Sequence, residues 1–382
     1  MTELMSHKSL KNTTSAVCTY NEWDPLEEII VGRIDGAVVP YLTREFKTFA
    51  KPEYWDFFRQ YGGKPYPQEL LKKGIQALNN LQKTLEDQGI VVKRPDVIDF
   101  TKTYKTLDFE SCGFNSGNAR DFLLVIGDEI IESPMAYRCR YFEFQAYRSL
   151  IKDYFNKGAR WTAAPKCTMA DAMYDQKFPV TDVEESKKWI SSGRYITTEY
   201  EPCFDGADFT RFGRDILVSR SLVTNNFGIE WMRRHLGPDY RIHVVRFQDD
   251  SPMHMDTTWV PIAEGMVLTC PERPCLDQHI LDMFEKSGWE VHTPPAGLCP
   301  SHIPLHLTSR WLSMNTVVID KERILVEASE EPTIKFLKKL GFKPIAVDIN
   351  HFFPFGGGLH CSTCDVRRKG TLKSYFNNIE MI

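Results

Sequence analysis

Long apolar runs and an excess of basic residues are both missing from this chain. No apolar stretch approaches the roughly 20 residues that a helix needs to span a bilayer. Lys and Arg number 47 against 51 Asp and Glu, a formal net charge of −4, so the basic surface typical of nucleic-acid-binding proteins is not expected. We therefore expect a cytoplasmic protein whose partners include neither a membrane nor a nucleic acid.

Linkers and a secretory signal are absent as well, which bears on how the chain is organised. No Gly/Ser-rich or Pro-rich stretch divides the 382 residues, so we expect one domain over residues 17–382 behind a flexible polar tail over 1–16. The N-terminal MTELMSHKSLKNTTSAV has no apolar signal core. The ten cysteines are therefore predicted to be reduced thiols, most of them buried.

A repeated unit is what the sequence does contain. Each copy has two short apolar runs around a polar turn, then an amphipathic helix and another apolar run. The five hairpin segments are EEIIVGRIDGAVV, DFLLVIGDEIIESP, DFTRFGRDILVSRS, TTWVPIAEGMVLTCP and MNTVVIDKERILVEAS. The helices are predicted near Pro67–Gln88, Tyr141–Phe155, Gly228–Leu236, Cys275–Lys286 and Pro332–Leu340. The pattern predicts five ββαβ units, although any α/β protein alternates strands and helices.

Polar residues recur at one end of these units. One residue precedes each hairpin from the second onward, and a cysteine follows the fifth: Asp121, Asp205, Asp256, Ser309 and Cys361. Their separations are 84, 51, 53 and 52 residues, a repeat-like period once an insertion near Pro165–Tyr195 is allowed for. A second insertion, near Tyr41–Tyr66, enlarges the first unit. Equivalent residues at one end of repeated units predict a closed ring with a central site.

Cys361 is the candidate nucleophile, in the segment PFGGGLHCSTCDVRRKG. A nucleophilic cysteine requires a base nearby and a group that stabilises the thiolate. A redox pair with Cys364 would normally open a helix in a thioredoxin-like unit, which this context does not match. A zinc site that uses His360 would require further ligands, and no second CxxC exists. A structural cysteine is the plainest alternative.

His254 is the candidate base, in the segment DDSPMHMDTTW. Residues two apart in an extended strand project to the same side, so His254 and Asp256 are predicted to face one pocket. A purely structural histidine is the alternative. Asp121 and Asp205 hold related places in other units, although Asp208 competes with Asp205 for this role.

Several carboxylates that converge on one cysteine indicate a cationic substrate with many donors. A guanidinium group fits that description, because it is planar and pairs bidentately with carboxylates. Arg273, in CPERPC, is a candidate for binding a substrate carboxylate, or else a member of a surface ion pair.

Longer segments resemble the L-arginine:glycine amidinotransferase family, namely RDFLLVIGDEIIESPMAYR, TTEYEPCFDGADF, GIEWMRRHLGPDYR, PMHMD, RPC, WLSMN and GGGLHCSTCDVRRKGTL. The resemblance extends from about Val17 to the C-terminus. It implies the pentein fold of the guanidino-group-modifying superfamily, a five-bladed α/β propeller of pseudo-symmetric ββαβ units around a central active site. It also implies a homodimer, L-arginine as donor, a small amine as acceptor, and no cofactor or metal.

The resemblance implies a role for each candidate residue. Cys361 matches the nucleophile, His254 the general acid and base, and Asp205 the carboxylate that orients the imidazole. Asp121 and Asp256 match the carboxylates that hold the guanidinium.

Further residues match the walls of the family's binding site. Arg273 matches the group that receives the substrate α-carboxylate, and Thr308 and Ser309 match a hydroxyl pair beside the donor. Ser251 and Met253 lie in the loop that lines the acceptor region.

The chain departs from the glycine-using enzymes at a few of these places. Ser251 stands where those enzymes have Asn, Thr308 replaces a Ser, and His306 stands where they can have Trp. A smaller side chain at 251 leaves room for an acceptor larger than glycine. Within the family the chain looks most like the cyanobacterial enzymes of guanidinium-toxin biosynthesis, in particular the saxitoxin pathway.

The sequence therefore predicts a ping-pong transferase that forms an amidino-cysteine and releases L-ornithine. Alternatives are a glycine amidinotransferase that makes guanidinoacetate and an arginine deiminase-type hydrolase that makes citrulline. A catalytically inactive arginine-binding protein and a metal or redox protein built on His360, Cys361 and Cys364 are further alternatives from other classes.

Overall fold

Five three-stranded sheets and one short hairpin form the β-structure of this computed structural model, which describes residues 15–298 and 303–376. The strands are β1 Leu26–Val31, β2 Val91–Lys93, β3 Tyr104–Lys105, β4 Glu110–Ser111, β5 Leu123–Ile126, β6 Glu129–Glu132, β7 Arg160–Ala163, β8 Phe209–Phe212, β9 Asp215–Ser219, β10 Arg241–Val245, β11 Trp259–Ala263, β12 Met266–Thr269, β13 Glu290–His292, β14 Val317–Val318, β15 Arg323–Glu327, β16 Lys343–Val347 and β17 Thr363–Arg368. The helices are α1 Trp55–Tyr61, α2 Gln68–Asp87, α3 Ala119–Phe122, α4 Phe144–Asn156, α5 Val183–Ser191, α6 Asn226–Leu236, α7 Gln278–Lys286 and α8 Glu331–Lys339. The fold is α/β.

Four of the sheets have the predicted ββαβ order. In each, an antiparallel hairpin is followed by a helix and a strand that pairs in parallel with the middle strand, as in β5–β6, α4 and β7. The hairpin turns contain Gly127 and Gly213 with φ of +62° and +68°, a conformation that tight hairpins require and that side chains disfavour. The hairpins and helices predicted for units two to five are confirmed.

The first sheet differs from the prediction. β1 pairs in parallel with β2, but its antiparallel neighbour is β17, from the other end of the chain. The predicted partner run, GAVV at 36–39, contributes only an isolated bridge from Val38 to Pro65. The hairpin predicted in the first unit is therefore wrong, because β17 already occupies that edge of β1. The loop that contains Cys361 thus precedes the outer strand of the first unit.

The helices pack on the sheets through one apolar face. α2 buries Ala77, Leu78, Leu81 and Leu85, which recur at helical spacing. The two predicted insertions contain α1 and α5. No helix in the described ranges is long and apolar enough to cross a bilayer. Residues 1–14 of the predicted tail lie outside the described part of the chain.

A buried ion cluster joins distant parts of the chain. Arg211 on β8 donates two hydrogen bonds to Asp365 on β17, at 2.9 and 3.0 Å, and one to Glu22 at 2.8 Å. Arg120 on α3 and Arg368 on β17 pair with the same Asp365 at 2.5 and 2.8 Å. Burial alone would raise the pKa of Asp365, but the three guanidinium groups hold it well below its usual range.

Replacing Arg211 tests how far the fold depends on this cluster. Arg211→Met should reduce the free energy of unfolding by about 3 kcal/mol or more, because it leaves two buried carboxylates short of a partner. Urea unfolding measures the change. Arg234→Met is the matched control, since Arg234 is 79% exposed and pairs with Glu230 on the surface; it should change stability by less than about 0.5 kcal/mol. Equal effects of the two substitutions would show that the cluster is not structural.

Candidate active site

Most of the candidate site lies in the segments that precede the first strand of each unit, whereas Arg273 follows β12. A cavity of about 370 Å³ is lined by the predicted residues Ser251, Met253, His254, Asp256, Arg273, Thr308, Ser309 and Cys361. The remaining two, Asp121 and Asp205, line a smaller cavity that His254 and Met253 also border. The structure thus brings all the predicted site residues together.

The Cys361 thiol is buried against one carboxylate and one amide. Its Sγ lies 3.4 Å from Asp256 Oδ2, and Asn315 Nδ2 donates to it at 3.3 Å. Burial raises the pKa of the thiol well above its ordinary value, and the charges of Asp256 and Asp121 raise it further. The free protein therefore holds Cys361 as a neutral thiol.

The glycines before Cys361 are required by close packing. A Cβ on Gly357 would lie 2.1 Å from Asn118 Oδ1, and one on Gly358 would lie 2.7 Å from Asn315 Oδ1. Only glycine lets the backbone approach these side chains so closely. The GGG run thus allows the Cys361 loop to contact the loops of two other units.

His254 adopts a backbone conformation that the sequence did not predict. Its φ and ψ are +62° and +137°, and a 3₁₀ turn at Met255–Thr257 follows it, so the predicted extended strand is wrong. The His254 backbone N–H donates to Asp208 Oδ1 at 3.0 Å, which helps to hold this strained residue. His254 and Asp256 still line one cavity, because the turn and not a strand presents them to it.

The His254 imidazole lies between two carboxylates. Nε2 is 3.0 Å from Asp205 Oδ2, and Nδ1 is 3.6 Å from Asp121 Oδ1. Burial lowers the pKa of His254, but Asp121, Asp205 and Asp208 together raise it to about 10. At neutral pH the site therefore holds an imidazolium.

Asp205 and Asp208 contact different parts of His254. Asp205 contacts the imidazole, whereas Asp208 accepts the backbone N–H and the hydroxyls of Ser221 and Thr224. Burial raises the pKa of Asp208 to about 6. Of the two candidates, Asp205 has the geometry of the residue that orients the imidazole.

Asp121 has a partner that the sequence analysis missed. Arg140 donates to Asp121 Oδ2 at 2.7 Å and to both oxygens of Glu143. Arg140 and Glu143 are three residues apart, a spacing that hinted at a pair with each other but not with Asp121. Asp121 Oδ1 and Asp205 Oδ1 are buried and have no hydrogen-bond partner among the described residues, so both are available to accept from a ligand.

Arg273 lines the cavity, so its contacts are not limited to a surface ion pair. It donates to Thr257 Oγ1, Thr258 Oγ1 and Ser309 Oγ at 3.1, 3.2 and 3.1 Å. Its Nε is 3.2 Å from Asp249 Oδ2, and its side chain is 17% exposed. A partly exposed guanidinium at the wall of the cavity suits an anionic group of a ligand.

The remaining predicted residues form the rim and the wall. Ser309 Oγ accepts the Trp311 backbone N–H at 3.1 Å and so caps a 3₁₀ turn. Thr308 Oγ1 lies 3.5 Å from His306 Nδ1. Ser251 is exposed at the rim, and Met253 lies deeper, between the two cavities.

Three possible metal ligands lie close together at the site. Ligand atoms of Asp121, Asp205 and His254 lie within 4.8 Å of one another. All three are engaged in ion pairs, because His254 lies between the two carboxylates and Arg140 donates to Asp121. Cys364 lies on β17, and its thiol donates to the Leu123 carbonyl at 3.4 Å. Cys361 and Cys364 are both free thiols.

Comparison with known proteins identifies close relatives. No protein-family model matches the chain. It is 52% identical over 361 residues to the mitochondrial glycine amidinotransferase of Gallus gallus, covering 94% of this chain and 85% of that protein. It is 43% identical over 362 residues to the L-arginine:L-lysine amidinotransferase of Pseudomonas savastanoi pv. phaseolicola, covering 95% and 97%. Among solved structures, the saxitoxin-pathway amidinotransferase of Microseira wollei is 44% identical, with a TM-score of 0.82 over 94% of this chain and 99% of that one.

The charge state of His254 can be tested by titration. Its pKa of about 10 is above the ordinary value of 6.5, so its ion pairs contribute stability that is complete below about pH 6.5 and lost as the pH rises through about 10. NMR titration of the His254 ring should give this high midpoint, and Asp205→Asn should lower it. Asp320→Asn, which changes a carboxylate that pairs with Arg323, should leave the midpoint unchanged. A wild-type midpoint near 6.5 would contradict the assignment.

Proposed function

The chain belongs to the amidinotransferase family, and from that premise we propose that it transfers the amidino group of L-arginine to an amine acceptor through an amidino-cysteine on Cys361. The observation that carries the proposal is a pair of adjoining cavities, both bordered by His254, that bring together a thiol, an imidazolium and three carboxylates. Such a site suits a cationic, planar donor. The release of L-ornithine follows from the same scheme.

Donor binding uses charges at the two ends of arginine. Asp256 and Asp121 are proposed to hold the guanidinium, since Asp256 contacts the thiol and Asp121 Oδ1 has no hydrogen-bond partner among the described residues. Arg273 and the Ser309 hydroxyl to which it donates are proposed to receive the α-carboxylate. When both ends of arginine are bound in this way, the central guanidinium carbon lies near Cys361 Sγ.

The first half-reaction begins with ionisation of the thiol. A bound guanidinium adds positive charge beside Cys361 and offsets the carboxylates that raise its pKa. The thiolate attacks the guanidinium carbon, and a bond forms between Sγ and that carbon. The bond from carbon to the side-chain nitrogen of ornithine breaks, and His254 protonates that nitrogen. The proton lost by the thiol completes the ammonium group of L-ornithine.

The second half-reaction reverses these roles. An acceptor amine enters after L-ornithine leaves, loses a proton to His254 and attacks the amidino carbon. The bond between carbon and Sγ breaks, and the second proton lost by the amine returns Cys361 to its neutral thiol form. Because the donor and the acceptor occupy the same site one after the other, the reaction should follow ping-pong kinetics. Water must be kept from the intermediate, because hydrolysis would divert it.

We propose an acceptor larger than glycine, from a guanidinium-toxin pathway such as that of saxitoxin. Ser251 is small and exposed at the rim, and the apolar side chains of Trp55, Phe178, Val183 and Leu222 also line the cavity. Glycine is the second candidate, with guanidinoacetate as product, because identity is higher to the animal glycine amidinotransferase (52%) than to the saxitoxin-pathway enzyme (44%).

The ring arrangement belongs to the proposal as well. We infer that the five sheets surround the site as blades of a propeller, because each contributes a residue from the segment before its first strand. The homodimer and the cytoplasmic location stay predictions from the sequence.

Guanidino-labelled arginine, supplied alone and with a panel of amines that includes glycine, tests the reaction. Mass spectrometry should detect L-ornithine and one labelled new guanidine, together with a labelled adduct on Cys361. Cys361→Ser should reduce turnover by at least about 10³-fold while the protein stays folded. Cys364→Ser is the matched control and should retain activity. Labelled citrulline or urea in every reaction would instead identify a hydrolase.

Ser251→Asn tests the acceptor loop. The larger side chain should lower kcat/KM for the larger acceptor and raise the relative use of glycine by about 10-fold or more. Competition between glycine and the best acceptor of the panel measures the ratio. Ser191→Asn, which adds the same amide at the exposed end of α5, should leave the ratio unchanged. An unchanged ratio in Ser251→Asn would remove this residue from acceptor selection.

A further inference from the structure

The His360 imidazole lies between two buried carboxylates that belong to different parts of the structure. Nδ1 is 3.0 Å from Asp256 Oδ2, and Nε2 is 3.4 Å from Glu22 Oε2. The His360 side chain is 15% exposed, and its backbone N–H donates to Asn315 Oδ1 at 2.8 Å. Both ring nitrogens and the backbone of the residue before the nucleophile are therefore held.

A single oxygen of Asp256 contacts both His360 and the thiol. Oδ2 is the atom that the His360 ring contacts, and it also lies 3.4 Å from Cys361 Sγ. The position of this oxygen therefore decides how the carboxylate faces the thiol and any guanidinium beside it. Asp256 therefore shares this oxygen with a neighbour that has no role in the reaction scheme.

Space exists for Asp256 to turn away from the thiol. Asp256 lines the large cavity and also a second cavity of about 20 Å³, which His360 and Glu22 border on the other side. A cavity of that size holds about one water molecule. Without the His360 ring, the Asp256 carboxylate could turn into this second cavity and away from Cys361.

Glu22 gives His360 a rigid support. Its other oxygen, Oε1, accepts from Arg211 Nε at 2.8 Å, within the buried ion cluster. Burial raises the pKa of Glu22, but Arg211 and its neighbours lower it to about 2, so Glu22 stays ionised. A fixed, charged carboxylate keeps the imidazole from rotating about its own axis.

We propose that His360, held by Glu22, is a positioning residue that fixes the Asp256 carboxylate between the Cys361 thiol and the guanidinium of arginine. This inference rests on the proposed function, because it assigns Asp256 to the donor guanidinium. His360 acts through Asp256 and does not itself contact the reacting atoms.

The proposal has an electrostatic consequence that a purely structural role would lack. Burial raises the pKa of Asp256, but His360 lowers it, and His254 and Cys361, the other titratable groups that face the carboxylate, lower it further. Loss of the His360 ring should therefore raise this pKa. Because only the ionised carboxylate binds a guanidinium, the acidic limb of kcat/KM for arginine should move to higher pH.

His360→Ala and His360→Asn are the variants that test the proposal. The alanine variant should raise KM for arginine about 10- to 100-fold with a smaller change in kcat, the range expected for loss of a charge-assisted hydrogen bond. It should also move the acidic limb of the kcat/KM profile upward. The asparagine variant keeps a donor near the position of Nδ1, so its KM for arginine should rise less than that of the alanine variant.

His243→Ala is the matched control. His243 is 14% exposed and pairs with the buried Asp215 at 2.7 Å, so its removal opens a similar hole away from the site. It should leave KM and the pH profile unchanged. Thermal unfolding of every variant measures how much of each effect is lost stability.

Arginine affinity in the Cys361→Ser background, measured by calorimetry, separates this inference from the proposed function. A weaker affinity on adding His360→Ala supports the positioning role even if the wild type releases no L-ornithine. Wild-type release of L-ornithine, with unchanged KM and pH profile in His360→Ala, overturns the positioning role alone. Equal loss of kcat in the alanine and asparagine variants, with KM unchanged, overturns it as well.

Discussion

The carboxylate of Asp365 is the interaction on which the rest of the structure depends. It is fully buried and paired with Arg120, Arg211 and Arg368, which come from two further units and from its own strand. A buried charge is tolerated only when it is paired and hydrogen-bonded, so these elements must come together for any of them to be stable. β17 is thereby fixed against β1, and the loop that carries Cys361 is fixed by β17.

The same cluster reaches the site through a short series of contacts. Glu22 links Arg211 to His360, and His360 contacts the Asp256 oxygen that faces the thiol. A continuous series of charged and hydrogen-bonding side chains therefore links the ion cluster to the pocket. In the pocket itself, burial and carboxylates together raise the pKa of Cys361, and carboxylates raise the pKa of His254 against the opposite effect of burial. Under the proposed function, the arriving guanidinium changes this balance, since it neutralises the carboxylates that favour the neutral thiol.

Local patterns in the sequence predicted the parts of the fold that local interactions build. Alternation, glycine turns and helical spacing located four hairpins and five helices, and the near-constant period placed Asp205, Asp256, Ser309 and Cys361 in related positions. The pairing of β1 with β17 was missed, because no short-range pattern encodes contact between residues more than 300 apart. Arg140 was missed for a similar reason, since its contact with Asp121 depends on the loop geometry. The positive φ of His254 was also missed, because residues with a side chain seldom adopt it and sequence patterns therefore do not predict it.

The repeated units and the two insertions contribute different parts of the pocket. Residues that contact the thiol and the imidazole come from the segments before the repeated strands, where the sheets fix their positions. Another part of the cavity wall comes from the two insertions, through side chains such as Trp55, Val183 and Ile190. Insertions on a rigid scaffold can change without disturbing the core, as surface loops generally do. In the proposed reaction, therefore, the chemistry on arginine depends on the repeated frame, while the space for the acceptor is bordered both by Ser251, in the loop before β11, and by the two insertions.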